Sequence, residues 1–299
     1  MGRIAIAGAS GLVGSSLRQV LRARGHDVVG LTRREPLSPG DRPWDPGANP
    51  RPGELDGCDA VVNLAGHPIA SGLWTARRRE LIRDSRIQAT RHLAYACQQS
   101  GVPALVNASA VGYYGNRCDE ILDEHSPAGG GFLADTCVAW EQALRPVRDG
   151  AVREVRVRFG MILARRGGAL PAMLPIYRMG LGGPLGSGEQ WISWILLEDA
   201  VSILVRSVED STLGGPVLGV SPNPVRQREF ARALGRAVGR PARIPLPAFL
   251  VKTFLGAFGQ ELFLWGQRCR PRVLEEAGFV WREPELRGAF ESLLTPRRE

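Results

Sequence analysis

The chain has 299 residues and only one lysine, Lys252, among 38 basic side chains, so its positive charge is carried by arginine. No catalytic pair that needs a lysine can be assembled anywhere before position 252. Cysteine is scarce as well: the five residues at 58, 97, 118, 137 and 269 form no C-x-x-C pair and are odd in number. That spacing argues against a disulfide framework and a zinc site, and a reducing cytoplasm is the compartment expected. The four histidines, at 26, 67, 92 and 125, are isolated and lack metal-ligand spacing, so they read as surface or helix residues and no metal is expected. No uninterrupted apolar run approaches the ~20 residues that cross a bilayer. The nearest, from Ala248 to Trp265, is broken by Lys252, Gln260 and Glu261 and reads as a buried or partner-facing helix. No charged and apolar leader precedes the first apolar run.

What is present suffices for a folded core, since hydrophobic residues make up 44% of the chain. The net charge is +8 and the pI about 9.9, but the arginines are scattered. The densest internal run, Arg77-Arg78-Arg79, reads as a solvated helix face. Without aromatic interleaving or a recognised motif, this charge does not predict a nucleic-acid partner, and no membrane partner is expected.

Arg3 to Ala7 is a short apolar run, Leu12 to Arg24 carries apolar residues at helical spacing, and Asp27 to Thr32 is a second apolar run. Strand, turn, helix and strand make one βαβ unit with parallel strands and a right-handed crossover. Residues 35 to 54 hold six of the 22 prolines and read as a loop. Strands follow at 60–64, 104–108 and 155–159, with helical segments at 75–99 and 133–144. Such alternation predicts an α/β fold, a Rossmann-type doubly wound parallel sheet. After Gly160 it weakens, and one more strand is expected at 217–220. The division expected is a dinucleotide-binding domain at 1–164 and 196–220, with a small, mainly helical substrate-side lobe at 165–195 and 221–299.

Between the first strand and helix lies Gly8-Ala9-Ser10-Gly11-Leu12-Val13-Gly14. A pyrophosphate needs backbone free of side chains at its closest approach and a helix N-terminus aimed at it. The spacing G-x-x-G-x-x-G is a weak signal alone and gains weight from its place after a strand and before a helix. An NAD site usually ends its second strand with an acid that binds the ribose 2′-hydroxyl. Here that place holds Thr32-Arg33-Arg34, two guanidiniums suited to a 2′-phosphate, so NADP(H) is the cofactor expected.

With this loop, with Asn63-Leu64-Ala65-Gly66 after a strand, and with Ser109-Ala-Val-Gly-Tyr-Tyr-Gly115, the chain resembles the extended short-chain dehydrogenase/reductases. The segments Ile82-Arg-Asp-Ser-Arg86, Gly180-Leu-Gly-Gly-Pro-Leu-Gly-Ser-Gly188 and Trp191-Ile-Ser-Trp194 narrow the resemblance to the atypical branch called the epimerase family, sometimes labelled cell-division-inhibitor-like. The resemblance runs almost end to end. It implies NADP binding, with residues near Leu64, Ala65, Gly66 and Arg86 helping to hold the cofactor.

Redox members of that superfamily pass a proton through a tyrosine whose pKa is lowered by a lysine four residues on. The tyrosines here, at 95, 113, 114 and 177, are followed at that distance by Gln99, Arg117, Cys118 and Leu181. By comparison with the family, Leu133 and Cys137 stand where the pair belongs. Ser109, at its strand end, becomes the candidate to bind a substrate carbonyl, with Tyr113 or Tyr114 as candidate proton donors. Gly180 to Gly188, with Trp191 and Trp194, is a candidate site-covering loop or ordinary core. Two functions follow as expectations: an NADP(H)-dependent oxidoreductase or epimerase acting on an unidentified small carbonyl or alcohol, or a non-catalytic protein regulated by NADP(H).

Overall fold

The computed structural model describes residues 1–33, 38–51, 53–70, 72–148 and 150–295. Its main sheet contains β1 (Arg3–Ala7), β2 (Asp27–Thr32), β3 (Arg42–Pro43), β4 (Ala60–Asn63), β5 (Ala104–Ala110), β6 (Arg153–Phe159) and β7 (Gly215–Gly219). The principal helices are α1 (Leu12–Ala23), α2 (Ala76–Gln99), α3 (Phe132–Gln142), α4 (Ala169–Arg178), α5 (Leu197–Glu209), α6 (Gln227–Ala237), α7 (Ala248–Gly259) and α8 (Leu286–Leu294). The seven strands lie in the order β7-β6-β5-β4-β1-β2-β3, the doubly wound order of Rossmann folds. All pairings among β1 to β5 are parallel. The two-residue strand β3 lies inside the proline-rich segment expected to be a loop; it pairs with the end of β2, where Pro43 stands on a sheet edge that needs no further donor.

The chain divides into two compact units. The first comprises Met1–Ala110, Thr136–Arg158 and Val201–Val217, the second Val111–Asp135, Phe159–Ala200 and Leu218–Glu299. Residues 111–135, grouped with the dinucleotide-binding domain from sequence, thus cluster with the second unit.

The first unit's strands are buried on both faces: Ile4 to Ala7, Ala60 to Asn63 and Ala104 to Asn107 are all inaccessible. Helix α1 buries Gly14, Leu17, Arg18 and Leu21, one stripe at i, i+3, i+4 and i+7. It stops because Gly25 takes φ +85°, with His26 N–H bonded back to Leu21 and Gly25 N–H to Arg22. Helix α2 starts at Thr75, whose hydroxyl accepts the Arg78 N–H at 3.3 Å, and runs unbroken to Gln99. The second unit has its own core, with Trp194, Phe230, Leu234 and Phe290 among its buried members and Phe230 edge-on to Phe290 at 5.2 Å.

Candidate functional site

The three glycines after β1 have separate tasks. Gly8 turns the chain at φ +82°, and a Cβ there would stand 2.9 Å from the Leu64 carbonyl carbon. Gly14 lies on the inner face of α1, where a Cβ would stand 2.2 Å from the Gly8 carbonyl oxygen. Gly11 is exposed and occupies the N-cap of α1, which has no side-chain cap and no acid in its first turn. The loop is therefore folded tightly onto itself while the positive end of the helix stays open, with Ser10 exposed and Leu12 and Val13 half-buried beside it. That cradle fits a pyrophosphate.

At the end of β2, Thr32 is buried and Arg33 exposed; Arg34 lies outside the described residues. The chain beyond is anchored by a buried ion pair, Arg18 of α1 with Asp41, whose carboxylate also accepts Gly30 N–H at 2.9 Å and Ser38 N–H at 3.1 Å. A Cβ at Gly30 would meet both partners at about 3 Å, so glycine lets the pair lie against β2. The sequence carried no periodic sign of this pair.

The turn after β4 is preorganised by a buried polar cluster. Asn63 donates to Asn107 at 2.7 Å and to Thr90 at 2.9 Å, Trp140 donates to Thr90 at 2.8 Å, and Asn63 Oδ1 receives the Ala65 N–H at 3.1 Å. The Leu64-Ala65-Gly66 backbone is thereby fixed beside the phosphate loop. Arg86 lies beneath it, 9% exposed, donating to the His67 and Ile82 carbonyls and stacked over Trp140 at 5.2 Å. A Cβ on Gly66 would come within 3.1 Å of its guanidinium carbon. Among the described residues Arg86 has no carboxylate partner, and burial lowers its pKa. His67, a surface or helix residue by its sequence, has its pKa held below the ordinary imidazole range by desolvation and then by Arg78, Arg33 and Arg86. Arg78 is half-buried and donates to Pro68 at 3.2 Å, so the solvated-face reading of Arg77 to Arg79 fails at this residue. Arg33, Arg78 and Arg86 all act on His67, and together with the open end of α1 they bring positive charge to these strand ends.

Ser109 is 4% exposed, and its hydroxyl donates to Glu141 at 2.8 Å. Glu141 is clasped by Arg158 through two bonds of 2.8 Å, with Arg156 at 3.4 Å. A proton committed to a carboxylate is not offered to a carbonyl, which runs against the role assigned to Ser109 from sequence. The only sequence signal for this network is the arginines at 153, 156 and 158 inside a sheet strand, which call for buried partners. On α3, Cys137 is buried and its thiol is pushed up to about 12 by desolvation and the nearby Glu141, so it supplies neither a proton-relay cation nor a thiolate.

Within the second unit, Tyr114 is fully buried and donates to the Asp123 carbonyl at 2.8 Å, and Tyr113 is half-buried, edge-on to it at 5.2 Å. Packing thus accounts for Tyr114, contrary to a proton-donor role. Trp194 is core, its indole N–H bonded to Asn223. Trp191 donates to Asp119 at 2.8 Å and is flanked by the guanidiniums of Arg226 and Arg268 at 4.1 and 4.5 Å, so arginines already lie over the indole. The glycines at 182 and 183 allow close packing: Gly183 lies against the Ile244 backbone, and Leu246 N–H reaches Pro184 at 2.8 Å. No helix is long and apolar enough to cross a membrane, and no metal-binding group of acids, cysteines and histidines occurs among the described residues.

Residues 4–131 match the NAD dependent epimerase/dehydratase family, and residues 246–293 match a domain of unknown function. An epimerase family protein of Mycobacterium bovis is 46% identical over 281 residues, which is 92% of each chain. The crystal structure of human epimerase family protein SDR39U1 with NADPH superposes with a TM-score of 0.90 at 35% identity, covering 98% of this chain and 99% of that one. A structure described as the nucleoside-diphosphate sugar epimerase from Corynebacterium glutamicum gives 0.83 at 36% identity, covering 98% of this chain and 58% of that one. With its glycine cradle, its preorganised Asn63 turn and relatives of this identity along nearly its whole length, the chain belongs to the NAD-dependent epimerase/dehydratase family, among the epimerase family proteins related to SDR39U1.

Proposed function

We propose that the first unit binds NADP(H) and that the protein uses it to transfer hydride to or from a small carbonyl or alcohol without a Tyr-Lys pair. The observation that carries the cofactor reading is the glycine cradle at the uncapped, open N-terminus of α1, beside which Arg33, Arg78 and Arg86 together act on His67. The human relative crystallised with NADPH supports the same choice. Bound nicotinamide would supply the hydride chemistry. The chain's own contribution is positional: Gly8, Gly11 and Gly14 admit the pyrophosphate, Asn63 fixes the Leu64-Ala65 backbone, and Arg33 supplies charge for a 2′-phosphate. Titration calorimetry with NADPH and NADH tests this reading, the expected result being clear preference for NADPH; equal affinities overturn the NADP assignment.

A second reading, a regulatory protein that senses NADP(H) without turning it over, is favoured by the engagement of Ser109 with Glu141 and of Tyr114 with Asp123. Following NADPH absorbance across a broad panel of carbonyl compounds separates the two. Turnover of any member establishes the enzyme, and silence across the panel together with tight NADPH binding leaves the sensor. On either reading a cytoplasmic location is proposed, from the unpaired cysteines.

A further inference from the structure

From Phe230 to Gln260 the chain carries Arg232, Arg236, Arg240, Arg243 and Lys252, and neither aspartate nor glutamate. Spaced three or four positions apart, the four arginines line one groove of about 550 Å³ together with Pro184, Pro241 and Ala242. None of them forms an ion pair among the described residues. Their backbone is held firmly: Arg240 N–H bonds to Gly235 at 2.9 Å, and a Cβ on Gly235 would strike Ala242. From Arg243 the chain continues into an exposed apolar stretch, Ile244 and Leu246, pinned to residues 182–186 by backbone hydrogen bonds. It then enters α7, where Phe249 is 65% and Phe254 70% exposed and Lys252 lies between them.

A cationic groove whose lining holds no acid, followed directly in the chain by exposed Ile244, Leu246, Phe249 and Phe254, has the chemistry of an anionic lipid interface, where guanidiniums meet headgroups and apolar side chains enter the acyl boundary. A second copy of the chain fits poorly, because a two-fold contact would set this positive surface against itself. A nucleic acid would leave Ile244 and Leu246 without apolar partners. We propose that residues 232–254 form a peripheral docking surface for a membrane rich in anionic phospholipid. This departs from the absence of a membrane partner expected from sequence, and it requires no spanning helix.

The test is co-sedimentation of the full chain with vesicles of phosphatidylcholine alone or with one third phosphatidylglycerol. Binding is expected only to the anionic vesicles, to weaken as salt is raised, and to fall roughly fivefold for each arginine neutralised in the series Arg232→Gln, Arg236→Gln, Arg240→Gln and Arg243→Gln. The double variant Phe249→Ser with Phe254→Ser is expected to lose vesicle binding while keeping its thermal midpoint and NADPH affinity. Equal binding to both vesicle types overturns the proposal, as does no binding to either. Full competition by glycerol 3-phosphate would reassign the groove to a soluble phosphate ester, and tighter binding to a short DNA duplex than to vesicles would reassign it to nucleic acid. A dimer in sedimentation that the double variant converts to monomer, with vesicle binding unchanged, would reassign the phenylalanines to self-association.

Discussion

A guanidinium as buried as Arg86 ordinarily faces a carboxylate, and this one faces carbonyls and an indole. Burial already lowers its pKa, so an anion arriving beside Gly66 relieves a desolvated charge and should be bound strongly. Arg86→Met is therefore expected to weaken NADPH binding at least tenfold, a charged hydrogen bond contributing about 1.5–3 kcal/mol, with little change in the thermal midpoint without cofactor. A large fall in that midpoint with NADPH affinity retained would make Arg86 a strut for the 64–68 turn instead. Ser109 and Glu141 carry the opposite expectation. Glu141→Ala strands Arg158 in the sheet and should cost about 3–5 kcal/mol, whereas Ser109→Ala removes one bond to that carboxylate and should cost less, both leaving NADPH affinity unchanged. If Ser109→Ala abolished turnover without loss of stability, its hydroxyl would face substrate. His67 gives the pH dependence. Its pKa is depressed when free, through desolvation and then the neighbouring arginines, and a phosphate there would raise it. A pKa higher in the bound state means proton uptake on binding, so NADPH affinity should rise as pH falls through the bound imidazole's pKa and level off only below that of the free protein, which lies under the ordinary imidazole range. The same rise should be absent in His67→Gln; its persistence there would assign the effect elsewhere.

At the scale of elements, the phosphate loop is the feature whose geometry the amino-acid sequence stated most fully. Gly14→Ala places a Cβ against the Gly8 carbonyl oxygen, so either the loop or α1 must shift. Loss of NADPH binding with a lowered melting temperature is expected, and unchanged binding would show that the loop is not the cradle. The β1-α1-β2 unit was legible because its signals are local: an apolar run, glycines at a turn, a helical stripe closed by Gly25. What stayed hidden was long-range. The Arg18–Asp41 pair joins residues 23 positions apart, and Ser109, Glu141 and Arg158 meet from β5, α3 and β6. Period-based reading sees which face of an element is apolar; it does not see which two polar groups meet across a core. For that reason Ser109 was legible as a strand-end serine while its partner was not. Trp191 is similar, since its spacing to Trp194 reads equally as a ligand-flanking pair or as core, and only Arg226 and Arg268 decide.

For the whole molecule, the cysteines provide a measurement of where the cofactor acts. Cys118 is exposed, while Cys58, Cys97, Cys137 and Cys269 are buried. Burial pushes the Cys97 thiol up to about 12, as desolvation and Glu141 do for Cys137, and desolvation raises Cys58 as well. In native protein Cys118 should thus react rapidly with a disulfide reagent, forming a mixed disulfide and releasing one equivalent of the reagent's thiolate, and the remaining four cysteines only as the structure opens. Cys58, Cys97 and Cys137 belong to the first unit, where the glycine cradle, Arg33 and Arg86 lie; Cys269 belongs to the second and reports on it separately. A ligand that binds only the closed form at about 100 times its Kd stabilises that form by about 2.7 kcal/mol. NADPH at that level should slow labelling of the three first-unit thiols by about 100-fold, leave Cys118 fast, and lose its effect in Arg86→Met. Labelling of Cys58, Cys97 and Cys137 that NADPH does not slow would place cofactor binding outside the first unit, whatever the glycine loop resembles.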